Sequence, residues 1–226
     1  MVMHMATVGT AINYGLLIFD FDGTLVDTAP DIASHANRVL REYGFPEQNL
    51  AVVKKAIGHG VHDLLSKLAS GLSEDVSKLD EMVSLFKKYY STDPVIATAA
   101  YPYVLSMLNG PLKNIKKVII TNKPEDLTHR ILKELCLDSF FEKVIGGGSD
   151  FPAKPDPSSV LHMIRQTRIS PQRTLFIGDS RVDYQTCLAA GIDFVWMDYG
   201  YDDSLKDEPG IKSFSMAKSW ASLVGD

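Results

Sequence analysis

The stretch Leu16-Leu17-Ile18-Phe19-Asp20-Phe21-Asp22-Gly23-Thr24-Leu25 decides the fold. Its four leading apolar residues have no polar interruption, which fits a strand buried on both faces, as in a parallel sheet. The run stops abruptly at Asp20, Asp22 and Gly23. Further runs of strand length stand at 118–120, 143–145, 174–177 and 194–197. From the second run onward each is separated from the next by a stretch of helical character, at 124–135, 157–167 and 182–190. Strands alternating with helices predict right-handed crossovers and an open, doubly wound α/β sheet.

Between the first and second runs this rhythm breaks. About a hundred residues separate Phe19 from Val118, far more than one crossover helix requires. Segments 30–43, 61–69 and 73–90 read as amphipathic helices, the last with Leu79, Met82, Val83 and Phe86 at helical spacing. The expected architecture is a Rossmann-like core built from 1–30 and 97–226, with an inserted α-helical cap at 31–96. Thr28-Ala29-Pro30 and Thr92-Asp93-Pro94 are the expected hinges, because short polar or proline-containing segments bound such units.

Composition excludes several classes. The 226 residues are 45% hydrophobic, enough for a substantial core. Lys and Arg total 23 against 28 acidic residues, so no basic footprint for nucleic acid exists. No 18-residue apolar run suggests a membrane span. Cys136 and Cys187, the two cysteines, are too few for a disulfide framework and stand in no metal-ligand spacing, which favours a cytoplasmic setting. Residues 1–14 hold no Lys or Arg and no long apolar run, unlike a signal peptide. No heptad or charge signature separates a monomer from a homodimer.

In an open α/β sheet ligands bind at the carboxyl ends of the strands. Here those ends carry Asp20 and Asp22, Thr121 and Asn122, and Asp179 with Asp183 nearby. Asp22-Gly23 alone reads more readily as a turn, but four aspartates brought together at one sheet edge repel unless a cation neutralises them. Oxygen-only ligands select a hard ion, Mg²⁺ first. Gly23 would let backbone N–H groups approach an anion, Thr121 offers a hydroxyl, and Lys154, in a proline-bounded loop, a compact positive charge. Thr121-Asn122 reads alternatively as a helix N-cap, and Gly146 to Gly148 as a turn.

The ordered set Asp20-Phe21-Asp22-Gly23-Thr24-Leu25, Thr121-Asn122, Lys154-Pro155 and Gly178-Asp179-Ser180 with Asp183 resembles the four motifs of the haloacid dehalogenase superfamily. The resemblance spans nearly the whole chain, cap included. Residues 25–31, Gly58-His59-Gly60, Thr121-Asn122-Lys123-Pro124, Ile145-Gly146-Gly147 and Tyr199-Gly200-Tyr201 are most similar to its phosphoglycolate phosphatase branch. Tyr103, after Tyr101-Pro102, departs from the small residue common there.

The resemblance implies a Mg²⁺-dependent phosphatase acting on a small phosphorylated metabolite, 2-phosphoglycolate first. Asp20 would attack phosphorus to give an aspartyl-phosphate. Asp22 would protonate the leaving oxygen and then activate water. The metal would be held by Asp20, Asp179 and the backbone carbonyl of Asp22. Phosphoryl oxygens would be met by Lys154, Thr121, Asn122 and N–H groups near Gly23, and Asp183 would hold Lys154 or a metal-bound water. His59, Gly60 and Lys123 are the candidates for substrate contact from the cap side. Alternatives are a sugar phosphomutase, which would hand the phosphoryl group to a sugar, and a phospho-accepting signalling or binding protein. The second needs neither Asp22 nor a cap. A halide-displacing enzyme would need neither a proton nor a metal.

Overall fold

Strand β1 (Leu16–Phe19) is apolar on both faces and lies in the interior of a parallel sheet. The sheet order is β5 (Lys143–Gly147), β4 (Lys116–Pro124), β1, β6 (Thr174–Gly178), β7 (Asp193–Met197) and β8 (Ser213–Phe214). The structure is a computed structural model that describes residues 11–70, 78–209, 211 and 213–214. The expected doubly wound α/β core is present. Leu17 and Phe19 enter one apolar cluster while Leu16 and Ile18 enter the other, the two-residue period of a strand covered on both sides.

The chain leaves β1 and adds β4 and β5 on one side, then returns to add β6, β7 and β8 on the other. Strand order therefore reverses at β1, which opens a crevice at its carboxyl end. Phe19 pairs with Ile119 and with Ile177, so Asp20 emerges beside the ends of both neighbours. The helices that follow the strands are α6 (Glu125–Glu134), α7 (Ser158–Thr167) and α8 (Arg181–Ala190). A Ser180/Asp183 capping box fixes the start of α8, and Gly191, left-handed at φ 68°, ends it.

Four helices occupy the long interval after β1: α1 (Ala29–Glu42), α2 (Leu50–Ala56), α3 (Val61–Ser70) and α4 (Leu79–Thr92). Helix α1 packs on α2 and α4, and α3 packs on α2 and α4. Where the chain leaves and returns, β2 (Val26–Asp27) pairs antiparallel with β3 (Ala99–Ala100), followed by α5 (Val104–Asn109). The apolar cluster under α6 continues into these helices through Ile32, Leu64, Phe86 and Tyr90. Of the segment read as helix at 73–90, positions 73–77 lie outside the described residues.

Two details differ from the sequence reading. Helices α2 and α5 have only 7 and 6 residues, too few turns for a period to show. Strand β4 runs on to Pro124, so Thr121 and Asn122 lie within the strand and no helix N-cap forms there. Gly146 to Gly148 close a turn, with Ser149 N–H donating to the Gly146 carbonyl at 3.2 Å, as expected. Among the described residues no helix is long and apolar enough to cross a membrane.

Candidate active site

The sheet places Asp20, Asp179 and Asp183 so that one carboxylate oxygen from each lies within 4.8 Å of the others. Asp20 follows β1 directly and its N–H donates to the Ile177 carbonyl, which continues the ladder one residue and removes backbone freedom. Asp179 follows β6 and is enclosed by donors. Thr24 Oγ1 donates to its Oδ1 at 3.0 Å and the Tyr201 N–H to its Oδ2 at 2.8 Å, while Trp196 Nε1 holds its backbone carbonyl. The enclosure requires two glycines. A Cβ at Gly23, whose φ is +82°, would stand 2.4 Å from Asp179 Oδ2, and one at Gly200 would stand 2.2 Å from Asp179 Cβ.

Lys154 crosses the cluster. Its Nζ donates to Asp183 Oδ1 at 2.6 Å and lies 2.8 Å from Asp20 Oδ1, off hydrogen-bond alignment, so that this buried oxygen has an ion-pair partner but no donor. Burial works against the Lys154 charge, but the Asp183 and Asp20 carboxylates outweigh it and hold the ammonium above the ordinary lysine range. Burial pushes the Asp183 carboxyl up to about 6 against the opposing pull of Lys154. Burial, then the charges of Asp20 and Asp183, raise Asp179 well above its usual range. Three carboxylates facing one ammonium leave an excess of two negative charges, which a divalent cation would neutralise. The donor set, all oxygen, fits a hard ion. Asp183 gives its second oxygen to the Ser180 N–H and hydroxyl, so it clamps Lys154 to the start of α8.

Asp22 stands apart from that cluster. Thr28 Oγ1 donates to Asp22 Oδ1 at 2.5 Å, and Lys123 Nζ lies 3.1 Å from Oδ1 and 3.4 Å from Oδ2. Thr28 occupies the N-cap position of α1 but makes no side-chain cap, its hydroxyl being committed to Asp22. Lys123 is buried and also donates to the Tyr90 hydroxyl of α4 at 3.0 Å. The two acidic residues of Asp20-Phe21-Asp22 therefore sit in different surroundings, the condition under which paired carboxyls take different roles.

The Thr121 hydroxyl, at the end of β4, accepts from the Lys123 N–H at 3.3 Å and lines the cleft above the carboxylates. Asn122, expected to contact phosphate, commits its amide elsewhere. Nδ2 donates to the carbonyls of Gly58 and Lys154, and Oδ1 accepts from the Lys154 N–H. Its side chain thus ties the α2–α3 loop and the Lys154 loop to β4, with no side-chain amide hydrogen left for a phosphoryl oxygen. The cleft is lined by Asp20, Asp22, Thr121 and Asp179 from the sheet edge and by Ile32, Val61, Leu64 and Phe86 from the helices. Gly58 and Gly60 line it, whereas the His59 side chain between them is exposed.

Residues 17–197 match the haloacid dehalogenase-like hydrolase family. The chain belongs to that family. It is 35% identical over 192 residues to a phosphoglycolate phosphatase of Pseudomonas putida, covering 83% of this chain and 70% of that one. It is 34% identical over 206 residues to a phosphoglycolate phosphatase of Aquifex aeolicus, covering 90% and 92% respectively. The crystal structure of a predicted phosphoglycolate phosphatase from Haemophilus somnus superposes with a TM-score of 0.83 at 26% identity, covering 91% of this chain and 96% of that one. The chain is accordingly a phosphatase of the haloacid dehalogenase-like family, a phosphoric monoester hydrolase.

Sequence reasoning about this haloacid dehalogenase-like hydrolase missed the groups that orient Asp22 and Asp179. Tyr90 shares a helix face with Met82 and Phe86 and reads as core. Thr24, Thr28 and Tyr201 have no local signal beyond their place in motif-like segments. Tyr201, for example, accepts from the Thr28 and Ala29 N–H groups and donates to Asp27.

Proposed function

We propose that this phosphatase hydrolyses a small phosphate monoester, 2-phosphoglycolate first, with Mg²⁺ and through an aspartyl-phosphate on Asp20. The observation that carries the reading is the separation of the two carboxyls. Asp20 lies among Lys154 and the metal-suited cluster, and Asp22 lies beside Thr28 and Lys123. The substrate comes from the relatives, which are named phosphoglycolate phosphatases.

Asp20 Oδ attacks phosphorus as the bond to the leaving oxygen breaks, and Asp22 gives that oxygen its proton. In the second half a water forms the new P–O bond, its proton passes to Asp22, and the acyl phosphate releases Asp20. One carboxyl serving as acid and then base restores the enzyme with atoms and charge balanced. The Lys154 ammonium lies where negative charge gathers on the transferring group. The residues that would hold Mg²⁺ are Asp20, Asp179 and the Asp22 carbonyl, and the chemistry supplied there is neutralisation of charge between an anionic nucleophile and an anionic phosphate. We read 31–96 as the cap, which would exclude water when seated over the cleft. The mutual packing of α1 to α4 and the β2–β3 junction support that division.

The test is inorganic phosphate release with and without Mg²⁺ from 2-phosphoglycolate, glucose 1-phosphate, glucose 6-phosphate and a nucleoside monophosphate. A Mg²⁺-dependent kcat/KM at least about a hundredfold higher for 2-phosphoglycolate, roughly 2.7 kcal/mol of discrimination, supports the reading. Equal rates across the panel would remove the named substrate. Isomerised sugar phosphate without phosphate release would indicate a mutase. Asp20→Asn should abolish release while the protein stays folded, and turnover in that variant would overturn the nucleophile assignment.

A further inference from the structure

Lys123 is held where an unpaired ammonium would be costly. Its side chain is buried and its described acceptors come from two separate parts of the fold. One is the Asp22 carboxylate, 101 residues away, and the other is the Tyr90 hydroxyl on α4. The ammonium also lies 4.5 Å from the centre of the Tyr90 ring. The ring is fixed in turn by Phe86, with centroids 5.5 Å apart, and by His35, 5.1 Å away, whose Nε2 is 3.1 Å from the Asp93 carbonyl. Thr28 also reaches Asp22 and binds the same oxygen, Oδ1, that Lys123 approaches more closely. Oδ1 thereby has two donors, and Oδ2, among the described residues, has one hydrogen bond, at 3.4 Å.

We propose that Tyr90 is a positioning residue for the acid–base carboxylate of Asp22, acting through Lys123. The proposal rests on the reading of Asp22 as the group that protonates the leaving oxygen. Helix α4 belongs to the inserted helical segment and Asp22 to the sheet edge, so the hydroxyl contact makes the aim of Asp22 depend on α4 being seated over the cleft. Without the hydroxyl, the Lys123 ammonium loses one of its acceptors and turns toward Asp22 Oδ2. That occupies the oxygen left for proton transfer. The ring packing needs only the phenyl group, so Phe at this position removes the positioning contact and keeps the core.

The experiment compares wild type, Tyr90→Phe and Asp22→Asn on a series of phenyl phosphates of graded leaving-group acidity and on 2-phosphoglycolate. Because kcat/KM reports only the first half-reaction, p-nitrophenyl phosphate, whose leaving oxygen needs no proton, isolates the acid. For Tyr90→Phe we expect kcat/KM to fall about tenfold on the alkyl ester and less than about twofold on p-nitrophenyl phosphate. A burst of nitrophenolate should precede a slower steady state, because the second half-reaction still needs the Asp22 base. An equal fall on both esters, no fall on either, or a change confined to KM overturns the proposal. In a Lys123→Gln background, where the ammonium is gone, Tyr90→Phe should change kcat/KM on neither ester by more than about twofold, and a further tenfold loss on the alkyl ester there also overturns it. If Asp22→Asn lacks that signature, the acid assignment itself fails. If Asp22→Asn shows it and Tyr90→Phe does not, the assignment stands and the role of Tyr90 falls.

Discussion

Asp31→Ala tests how the chain is held where it returns from the inserted helices. Asp31 lies in the first turn of α1 and is 2% exposed. Its Oδ2 accepts the N–H groups of Ile96, Ala97 and Thr98 at 2.9, 3.1 and 2.9 Å, and Oδ1 accepts Ala97 N–H again at 3.0 Å. Hydrogen bonds to an ionised group contribute about 1.5–3 kcal/mol each, so three donors give about 4.5 kcal/mol on the lower figure. Ile96 is 67% exposed, so water re-solvates part of what Ala would leave open, and a loss of about 3 kcal/mol is expected. With a urea slope of about 3 kcal/mol/M, the unfolding midpoint should drop by about 1 M.

The pH dependence has a definite sign. Burial raises the Asp31 carboxyl, but the donors from Thr98, Ile96 and Ala97 outweigh it, and the group ends below its ordinary 3.8. The unfolded chain therefore binds the proton first as pH falls. The stabilisation is complete above 3.8 and is lost as pH drops through the lower folded value. The gap between wild type and Asp31→Ala should thus be full at pH 7 and narrow below pH 4. A midpoint shift under about 0.3 M at pH 7, or a gap that widens on acidification, would refute the argument.

Three further outcomes are expected. Lys154→Met leaves Asp20 and Asp183 facing one another without their ammonium, which should cost about 3–5 kcal/mol and abolish phosphate release; turnover within tenfold of wild type would contradict the site described. Gly23→Ala and Gly44→Ala force the same left-handed strain, φ +82° and +78°, but only the first Cβ meets Asp179, at 2.4 Å, while the second meets nothing within 4 Å. Gly44→Ala should lose about 1–2 kcal/mol in thermal unfolding and Gly23→Ala more, because its Cβ also overpacks against buried Asp179; only Gly23→Ala should lose activity, by about a hundredfold, and equal activities would remove the Asp179 argument. Tyr103→Gly relieves a φ of 70° at a residue 63% exposed, so a gain of about 0.5–1 kcal/mol after the added chain entropy should raise Tm, and a lower Tm would show that the tyrosine ring contributes packing there.

The acidic sheet edge was legible because its signals are local. A strand of four apolar residues that ends in Asp20 positions that aspartate wherever the strand goes, and the same holds for Asp179 after β6. Lys154 stood out by its proline-bounded loop after the third predicted strand, while its clamp by Asp183 was implied by the resemblance. Asn122 shows the limit. Its residue type suits a phosphate, yet its amide is taken by carbonyls from Gly58 and Lys154, 64 and 32 residues away.

By itself the sequence determined the doubly wound sheet, the inserted helices and the aspartates at the strand ends, since periodicity and strand termini depend on neighbours along the chain. Tertiary structure alone decided what each polar side chain is bonded to. Thr28 leaves its helix cap for Asp22, Tyr90 turns from apparent core to a partner of Lys123, and Asn122 becomes a tie between loops. The physical reason is that a hydrogen bond is settled within about 3 Å, by whichever donors and acceptors packing brings together, and residue spacing along the chain carries no such distance.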